Sequence, residues 1–497
     1  MYREIAAVVT RQPDAVAIEA DDGVCYRFRE VDEQSARYAA FLHGCGLRPG
    51  ERVAVQAEKT PQSLLLYLAC LRAGLIYVPL NTAYQAGELE HFLRDAAPGL
   101  VVGSPQREAS LRALVAATCD ARVLTLDAEG AGSFPELAAR ASPEFTAVES
   151  ADDVAALIYT SGTTGRSKGA MVTHRNLVSN ARALISAWGF SPQDVLLHTL
   201  PIFHVHGLFV ANHCALASGA RLLWRRRFEP PAVLRDLNRA SVFMGVPTYY
   251  TRLLAQAGFG AEHCRNVRLF VSGSAPLLAD TFRAFEARTG LRILERYGMS
   301  EAGMIASNPL RGERRPGTVG MPLPGVSVRV ADERDRPVAT GEVGAIQVRG
   351  ENVFKGYWKM PEKTREEFTA DGWFRTGDLG AFDAQGYLSI VGRAKDLIIS
   401  GGYNVYPKEV ELALDQLPGV QESAVIGVPD ADFGEAVTAV IVPARNTAPS
   451  EAEIIAALRP QLANYKLPKR VHMVAELPRN AMGKVQKNLL RERYRGT

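Results

Sequence analysis

The chain has almost no surplus charge. Its 57 Lys and Arg residues against 54 Asp and Glu leave a formal net charge of +3 over 497 residues. The electrostatic footprint of a nucleic-acid binder is therefore missing. Cysteine is also sparse. Cys25, Cys45, Cys70, Cys119, Cys214 and Cys264 are scattered, with no C-x-x-C pair. That argues against a disulfide scaffold and for reduced thiols in a cytoplasmic protein. No apolar run reaches membrane-spanning length, so no membrane partner is expected. The opening MYREIAAVVTRQPDAVAIEA carries acids early and reads as neither a signal peptide nor a transit sequence. What remains, 47% hydrophobic and 22% charged, describes a soluble globular protein with more than one core.

Against that neutral background one stretch stands out, YTSGTTGRSKG from Tyr159 to Gly169. The apolar-leaning ADDVAALIYT leads into it, and AMVTHRNLVSNARAL follows with helical spacing opening near Thr173. The expectation is a strand, a Gly/Thr loop and a helix. Gly162 and Gly165 let backbone N–H groups approach an anion. The hydroxyls of Thr160, Ser161, Thr163 and Thr164 add donors, and Lys168 adds a point charge. This suits a triphosphate. Gly169 rather than Ser or Thr follows Lys168, which disfavours a P-loop NTPase.

Strand-like and helix-like segments alternate on both sides of this loop. RFREVDEQSARYAAFLHGCGL and QSLLLYLACLRAG read as helices, and ERVAVQA, IYVPL, DVLLHTLP, ARLLW, SVFMGV and VRLFVSGSAP as strands. Such alternation implies parallel sheets with helices outside, an α/β fold. Gly, Pro and short β-rich runs then dominate residues 310–394, which read as a smaller antiparallel subdomain. The last hundred residues read as a compact α+β unit, including a helix over SEAEIIAALRPQLANY. The expected domains are 1–394 and 395–497.

Seven further segments follow the loop in order: LPIFHVHG, GSAP, ERYGMSE, RTGDLG, GRAKD, SGGYNVYPKEVE and PRNAMGKVQK. In physical terms, Tyr297 can stack on a base, Gly298 allows close approach and Ser300 can donate to a phosphate. Glu301 offers a hard oxygen for Mg2+, although a lone Glu is more often a surface acid. Asp378, in a Thr-Gly-Asp turn, can accept from ribose hydroxyls. His204 and His206 lie two apart and would share a face on a strand, which invites a metal reading. No third ligand stands at suitable spacing. The run WRRRF, Trp224 to Phe228, reads either as a solvated face or as a contact for the 3′-phosphate of CoA.

Taken together and in this order, the segments resemble the adenylate-forming family that includes acyl-CoA synthetases, adenylation domains of peptide synthetases and luciferases. The resemblance covers nearly the whole chain. It implies an enzyme using ATP, Mg2+ and CoA. Thr160 to Gly165 with Lys168, Gly273 with Ser274 and Ala275, and Glu295 with Arg296, Tyr297, Gly298, Met299 and Ser300 would bind ATP and AMP. Asp378 and Arg393 would hold the ribose, and Thr160 and Glu301 the Mg2+. Lys484 would bridge the acid carboxylate and the α-phosphate, and acetylation there would remove that charge. Lys395 stands at the hinge position, where many relatives carry Asp. Gly401, Gly402 and Tyr403 would line the CoA channel, and His204 the acyl pocket. The absence of a carrier-protein segment after PRNAMGKVQK favours free CoA as acceptor.

Within the family, LPIFHVHGLFVANH, MGVPTYYTRLL and ERYGMSEAGM look most like malonyl-CoA synthetases. A dicarboxylate needs a cation for its far carboxylate. Of Arg268, at the start of a strand, and Arg252, on the helix after Pro247, the position favours Arg252, with Ser274, His204 and Met304 lining a short pocket. A synthetase for an apolar acid, medium-chain or aryl, is the rival. A catalytically inactive nucleotide sensor is disfavoured because Lys484 and Glu301 are both present.

Overall fold

The structure, a computed structural model, describes residues 1–148, 150–160, 167–400, 403–430, 433–444, 449–480 and 483–495. The chain forms two compact units. One comprises Met1–Ser327 and Val348–Phe374, the other Val328–Gln347 and Arg375–Thr497.

The first unit holds two large sheets. In the six-stranded sheet the order is Arg122–Thr125, Leu100–Gly103, Arg52–Gln56, Ile76–Pro79, Val154–Thr160 and Lys168–Thr173. All neighbours are parallel except the last pair. The helix opens at Thr173 as expected, but an unexpected strand stands between the loop and the helix. KGAMVT does not enter the helix but returns antiparallel along Val154–Thr160, with Tyr159 opposite Gly169 and Ile158 opposite Ala170. The helix His174–Trp188 starts only afterwards. Its N-cap is Thr173, whose hydroxyl accepts from the Asn176 N–H. The glycine loop thus joins two strands, and no helix N-terminus follows it directly.

The nine-stranded sheet runs Met321–Pro322, Gly303–Ser307, Ile293–Met299, Leu269–Ser272, Val242–Gly245, Val195–His198, Arg221–Trp224, Val16–Glu19 and Cys25–Arg27. Its centre is parallel. Tyr250, Phe270 and Phe285 pack beneath it, with Tyr250 edge-on to Phe285 at 5.4 Å. This core fixes the C-terminal ends of strands Leu269–Ser272 and Ile293–Met299, the edge where ligands of such sheets bind.

The helix Pro61–Ala73 belongs to the same unit. Thr60 caps it, Pro61 opens it and Gly74, in the left-handed region, closes it. Every residue of the helix except Gln62 is buried. A helix apolar all round has no solvent face to offer. Tyr67 meets Tyr77 of the six-stranded sheet edge-on at 5.1 Å. Its hydroxyl lies 2.8 Å from His213 Nε2, on the helix Asn212–Ser218.

A four-stranded sheet, Val326–Ala331, Gly344–Gly350, Phe374–Phe382 and Leu388–Arg393, belongs mostly to the second unit, which also carries a sheet built on the long hairpin Val420–Asp430 with Gly434–Pro443. The predicted SEAEIIAALRPQLANY helix is shorter than its pattern. It spans Glu451–Leu458 and ends before Pro460, whose ring cannot continue it. Among the described residues no helix is long and apolar enough to cross a membrane.

Candidate functional site

At the C-terminal end of Leu269–Ser272 the chain turns through Gly273 into Ser274. Ser274 adopts φ +71°, a left-handed conformation that a non-glycine residue rarely occupies. Two buried side chains converge on its hydroxyl. His206 Nδ1 lies 3.4 Å from Ser274 Oγ, and Arg296 Nη2 donates to it at 3.5 Å. A Cβ on Gly273 would fall 2.5 Å from Arg296 Cζ, so only glycine leaves room for the guanidinium. Arg296 is 3% exposed, and its Nε has no hydrogen-bond partner among the described residues. Burial pulls its pKa down to about 10, against the opposing pull of Tyr250 and Glu295.

His206 opens a π-helical turn, His206–Ala211, that runs into the helix Asn212–Ser218. Such turns displace side chains relative to an α-helix. Burial, then the charge of Arg296, holds His206 well below the usual imidazole range, so it is neutral near pH 7. His204 is half-buried with its ring 4.6 Å from Phe203. The two histidines lie at the mouth of a helical turn, not on a strand, so the shared-face geometry is not realised. Among the described residues no group of three or more His, Cys, Asp or Glu could hold a metal ion.

A second focus surrounds Glu301, which is buried. Its Oε1 accepts from Thr160 Oγ1 at 3.3 Å and from the Tyr357 hydroxyl at 3.1 Å. Lys168, also buried, holds its ammonium 4.4 Å above the Tyr357 ring and 3.8 Å from Glu367. Sequence reasoning missed Tyr357 and Glu367. No local spacing marks them, because they reach the site through pairing of residues near 357 with the strand Lys168–Thr173. Beside this focus Met304 is buried, with its N–H donated to Asn180 Oδ1 at 3.0 Å, and Tyr297 is buried while Gly298, Met299 and Ser300 are half-buried. Glu295 accepts the Leu277 N–H at 3.0 Å, and Ala275 is half-buried. Ser161, Gly162, Thr163, Thr164 and Gly165, and Gly401 and Gly402, lie outside the described residues.

In the second unit, Asp378 sits within the strand Phe374–Phe382, not in a free turn. It is directly opposite Arg393, whose Nε donates to Asp378 Oδ1 at 2.8 Å. Lys395 lies exposed in the short 3-10 turn Ala394–Asp396. Tyr403 stacks on Tyr465 at 4.7 Å. Lys484 is exposed in a tight turn. Its N–H donates to Asn480 Oδ1 at 3.0 Å, and its carbonyl accepts from the Asn480 N–H at 2.9 Å.

The remaining cations divide sharply. Arg268 is consumed by Asp194 at 2.7 Å and by the carbonyls of Trp188 and Gly189. Arg252 is exposed on the helix Pro247–Leu254. In WRRRF, Trp224 is buried, and Arg225, Arg226 and Arg227 pair with Asp236, Glu129 and Glu229.

The chain matches the AMP-binding enzyme family over residues 5–358 and the AMP-binding enzyme C-terminal domain over residues 409–484. It is similar to the crystal structure of ATP-bound MatB from Rhodopseudomonas palustris, with a TM-score of 0.97 at 50% identity over 99% of each chain. It is 38% identical to the sulfoacetate–CoA ligase of Cupriavidus necator, over 97% of this chain and 96% of that one. It is 36% identical to the malonate–CoA ligase of Arabidopsis thaliana, over 96% and 86%. With the family matched across both compact units, the chain belongs to the AMP-binding, adenylate-forming enzymes.

Proposed function

We propose that the protein is an AMP-forming acid–thiol ligase whose acid is malonate. The buried Arg296 beside Ser274 and His206 carries this reading. An apolar acid would call for an apolar pocket. A buried guanidinium with an open Nε is costly unless an anion completes it, and a planar fork suits a carboxylate. Spacing in the sequence favoured Arg252 for this role. Arg252 is exposed to water, where an ion pair gains little, so we assign the distal carboxylate to Arg296 instead. That also moves Arg296 from the nucleotide set to the acyl set. Ser274, His204, His206 and Met304 complete the acyl pocket. The malonate–CoA and sulfoacetate–CoA ligases among the relatives are named for short acids with a second anionic group, in keeping with this assignment.

A carboxylate is a poor acyl donor because oxide would have to leave. Its oxygen attacks the α-phosphate of ATP, pyrophosphate departs, and malonyl-AMP forms. The CoA thiol then attacks the acyl carbonyl, AMP departs, and malonyl-CoA forms. Negative charge builds on the phosphates in the first step, and Lys168 and Lys484 are the cations we assign to it. Tyr297 with the Gly273–Ala275 turn takes the adenine, and Asp378 with Arg393 the ribose. The Glu301 cluster fits Mg2+ arriving with the nucleotide, since that ion needs only one or two carboxylates beside the phosphate oxygens. Thr160 and Glu301 would hold it, and when bound it neutralises phosphate charge. Lys395 is our pivot between residues 1–394 and 395–497, with Gly401, Gly402 and Tyr403 serving the thiol half-reaction. Six free cysteines accord with a cytoplasmic location.

The test is CoA-dependent AMP release across malonate, methylmalonate, sulfoacetate, acetate, octanoate and benzoate. Malonate should have the highest kcat/KM. A preference for octanoate or benzoate defeats the reading.

A further inference from the structure

Behind the acyl pocket lies a buried charge that the reaction does not use. Lys59, between the strand Arg52–Gln56 and the helix Pro61–Ala73, is 6% exposed. Among the described residues no carboxylate pairs with its ammonium. The amine instead donates to the His198 carbonyl at 2.8 Å, lies 3.0 Å from His198 Nδ1, and sits 4.5 Å over the Trp224 ring. His198 is 1% exposed, and its Nε2 lies 3.0 Å from the Gly207 carbonyl.

These contacts fix every proton. A carbonyl oxygen only accepts, so His198 Nε2 carries the hydrogen and donates it to Gly207. Nδ1 is then an acceptor, and Lys59 is its donor. Burial, then the Lys59 charge, holds His198 well below the usual imidazole range, in keeping with one neutral tautomer. Gly207 packs closely on Pro201, and no larger residue fits there. A Cβ there would fall 2.1 Å from the Pro201 carbonyl oxygen, so its backbone is pressed against the start of its own loop. The residue before it is His206, which faces Ser274.

We infer that Lys59 is a positioning residue for the acid subsite, acting through His198 and the Gly207 carbonyl to seat His206 against Ser274 and Arg296. It touches no substrate. Burial pulls the Lys59 amine well below its usual range, against the opposing pull of Asp21, so seating it there costs stability, and the return is a fixed imidazole three links away.

The inference rests on the acid subsite proposed above, so the experiment uses malonate and also whichever acid of the panel the wild-type enzyme prefers. If that acid is not malonate, the substrate reading fails while the role of Lys59 is still read out on the preferred acid. Lys59→Met, His198→Leu and the double variant are assayed by AMP release. Each single variant should raise the acid KM about tenfold while the ATP KM stays within about twofold. The double should match the singles and not multiply to about a hundredfold, because both act along one path. An unchanged acid KM, parallel rises for acid and ATP, or multiplicative effects would each overturn the inference. Should Lys59→Met fail to fold, His198→Gln against His198→Leu decides. Glutamine retains a donor toward Gly207, so its acid KM should fall back toward wild type. Equal loss in both refutes the path.

Discussion

Arg296→Met separates a functional cation from a structural one, because the two roles predict opposite signs. Burial lowers the guanidinium from its usual value, by more than two pKa units, to about 10. That corresponds to roughly 3 kcal/mol of unfavourable burial, at 1.36 kcal/mol per pKa unit. The folded value lies below the unfolded one, so the cost is fully present at every pH below the folded value, including pH 7.5. Methionine fills similar volume without the charge, and the contact it removes, a long bond to Ser274 at 3.5 Å, is weak. The apoenzyme should therefore be no less stable than wild type, and up to about 3 kcal/mol more stable. Malonate loses its partner. Truncating one side of a buried charge pair costs about 2–5 kcal/mol, so the malonate KM should rise by about 30-fold or more. Acetate and the ATP KM should change little. Thermal denaturation and AMP release read both quantities. A destabilised variant with an unchanged malonate KM refutes the reasoning. An ATP KM that rises instead returns Arg296 to the nucleotide set.

Arg252→Ala should raise the malonate KM less than about threefold, as for an exposed charge; a steep rise seen in the same assay would restore Arg252 as the clamp. Lys484→Ala should cut pyrophosphate exchange by about a hundredfold or more, yet leave thioester formation from preformed malonyl-AMP within about fivefold. Exchange near the wild-type rate, or full activity after acetylation in vitro, would remove Lys484 from the chemistry. CoA should be accepted far better than holo-carrier proteins in a product assay, and preference for a carrier would reverse the assignment. His198, His206 and His213 are all held down by burial, His213 to about 3. Their folded pKa values lie below the unfolded value near 6.5, so this stability is complete above pH 6.5 and is lost as pH falls. The slope is about 1.4 kcal/mol per pH unit for each histidine fully protonated on unfolding. Urea unfolding at pH 7.5 and pH 5 measures it, and equal stabilities would contradict the burial.

The alternation of strands and helices was legible because each segment carries its own period. QSLLLYLACLRAG and IYVPL fold as read. Pairing was not legible, since partners lie far apart in sequence. Val16–Glu19 lies beside Arg221–Trp224, and the return of Lys168–Thr173 along Val154–Thr160 went unread. The nucleotide motifs were legible as local strings. The cation we propose for the distal carboxylate could not be chosen from the sequence, because the choice rests on which arginine is buried, and burial is decided by packing. Arg296 lies inside a motif already read for another purpose, while the exposed Arg252 sat at an attractive position.

The helix Pro61–Ala73 bears on how the chain emerges from the ribosome. Its apolar surface is complete once residue 73 is made, but part of its cover arrives much later. Tyr67 waits for His213, 146 residues downstream. At 5–20 residues per second that interval lasts roughly 7–30 seconds. During it the part of the helix around Tyr67 that faces His213 lacks this partner. A nascent chain stalled before residue 213 should therefore bind a hydrophobic-segment chaperone through this helix. Replacing Leu64 and Leu68, both buried, with glutamine should weaken that capture as well as the finished fold.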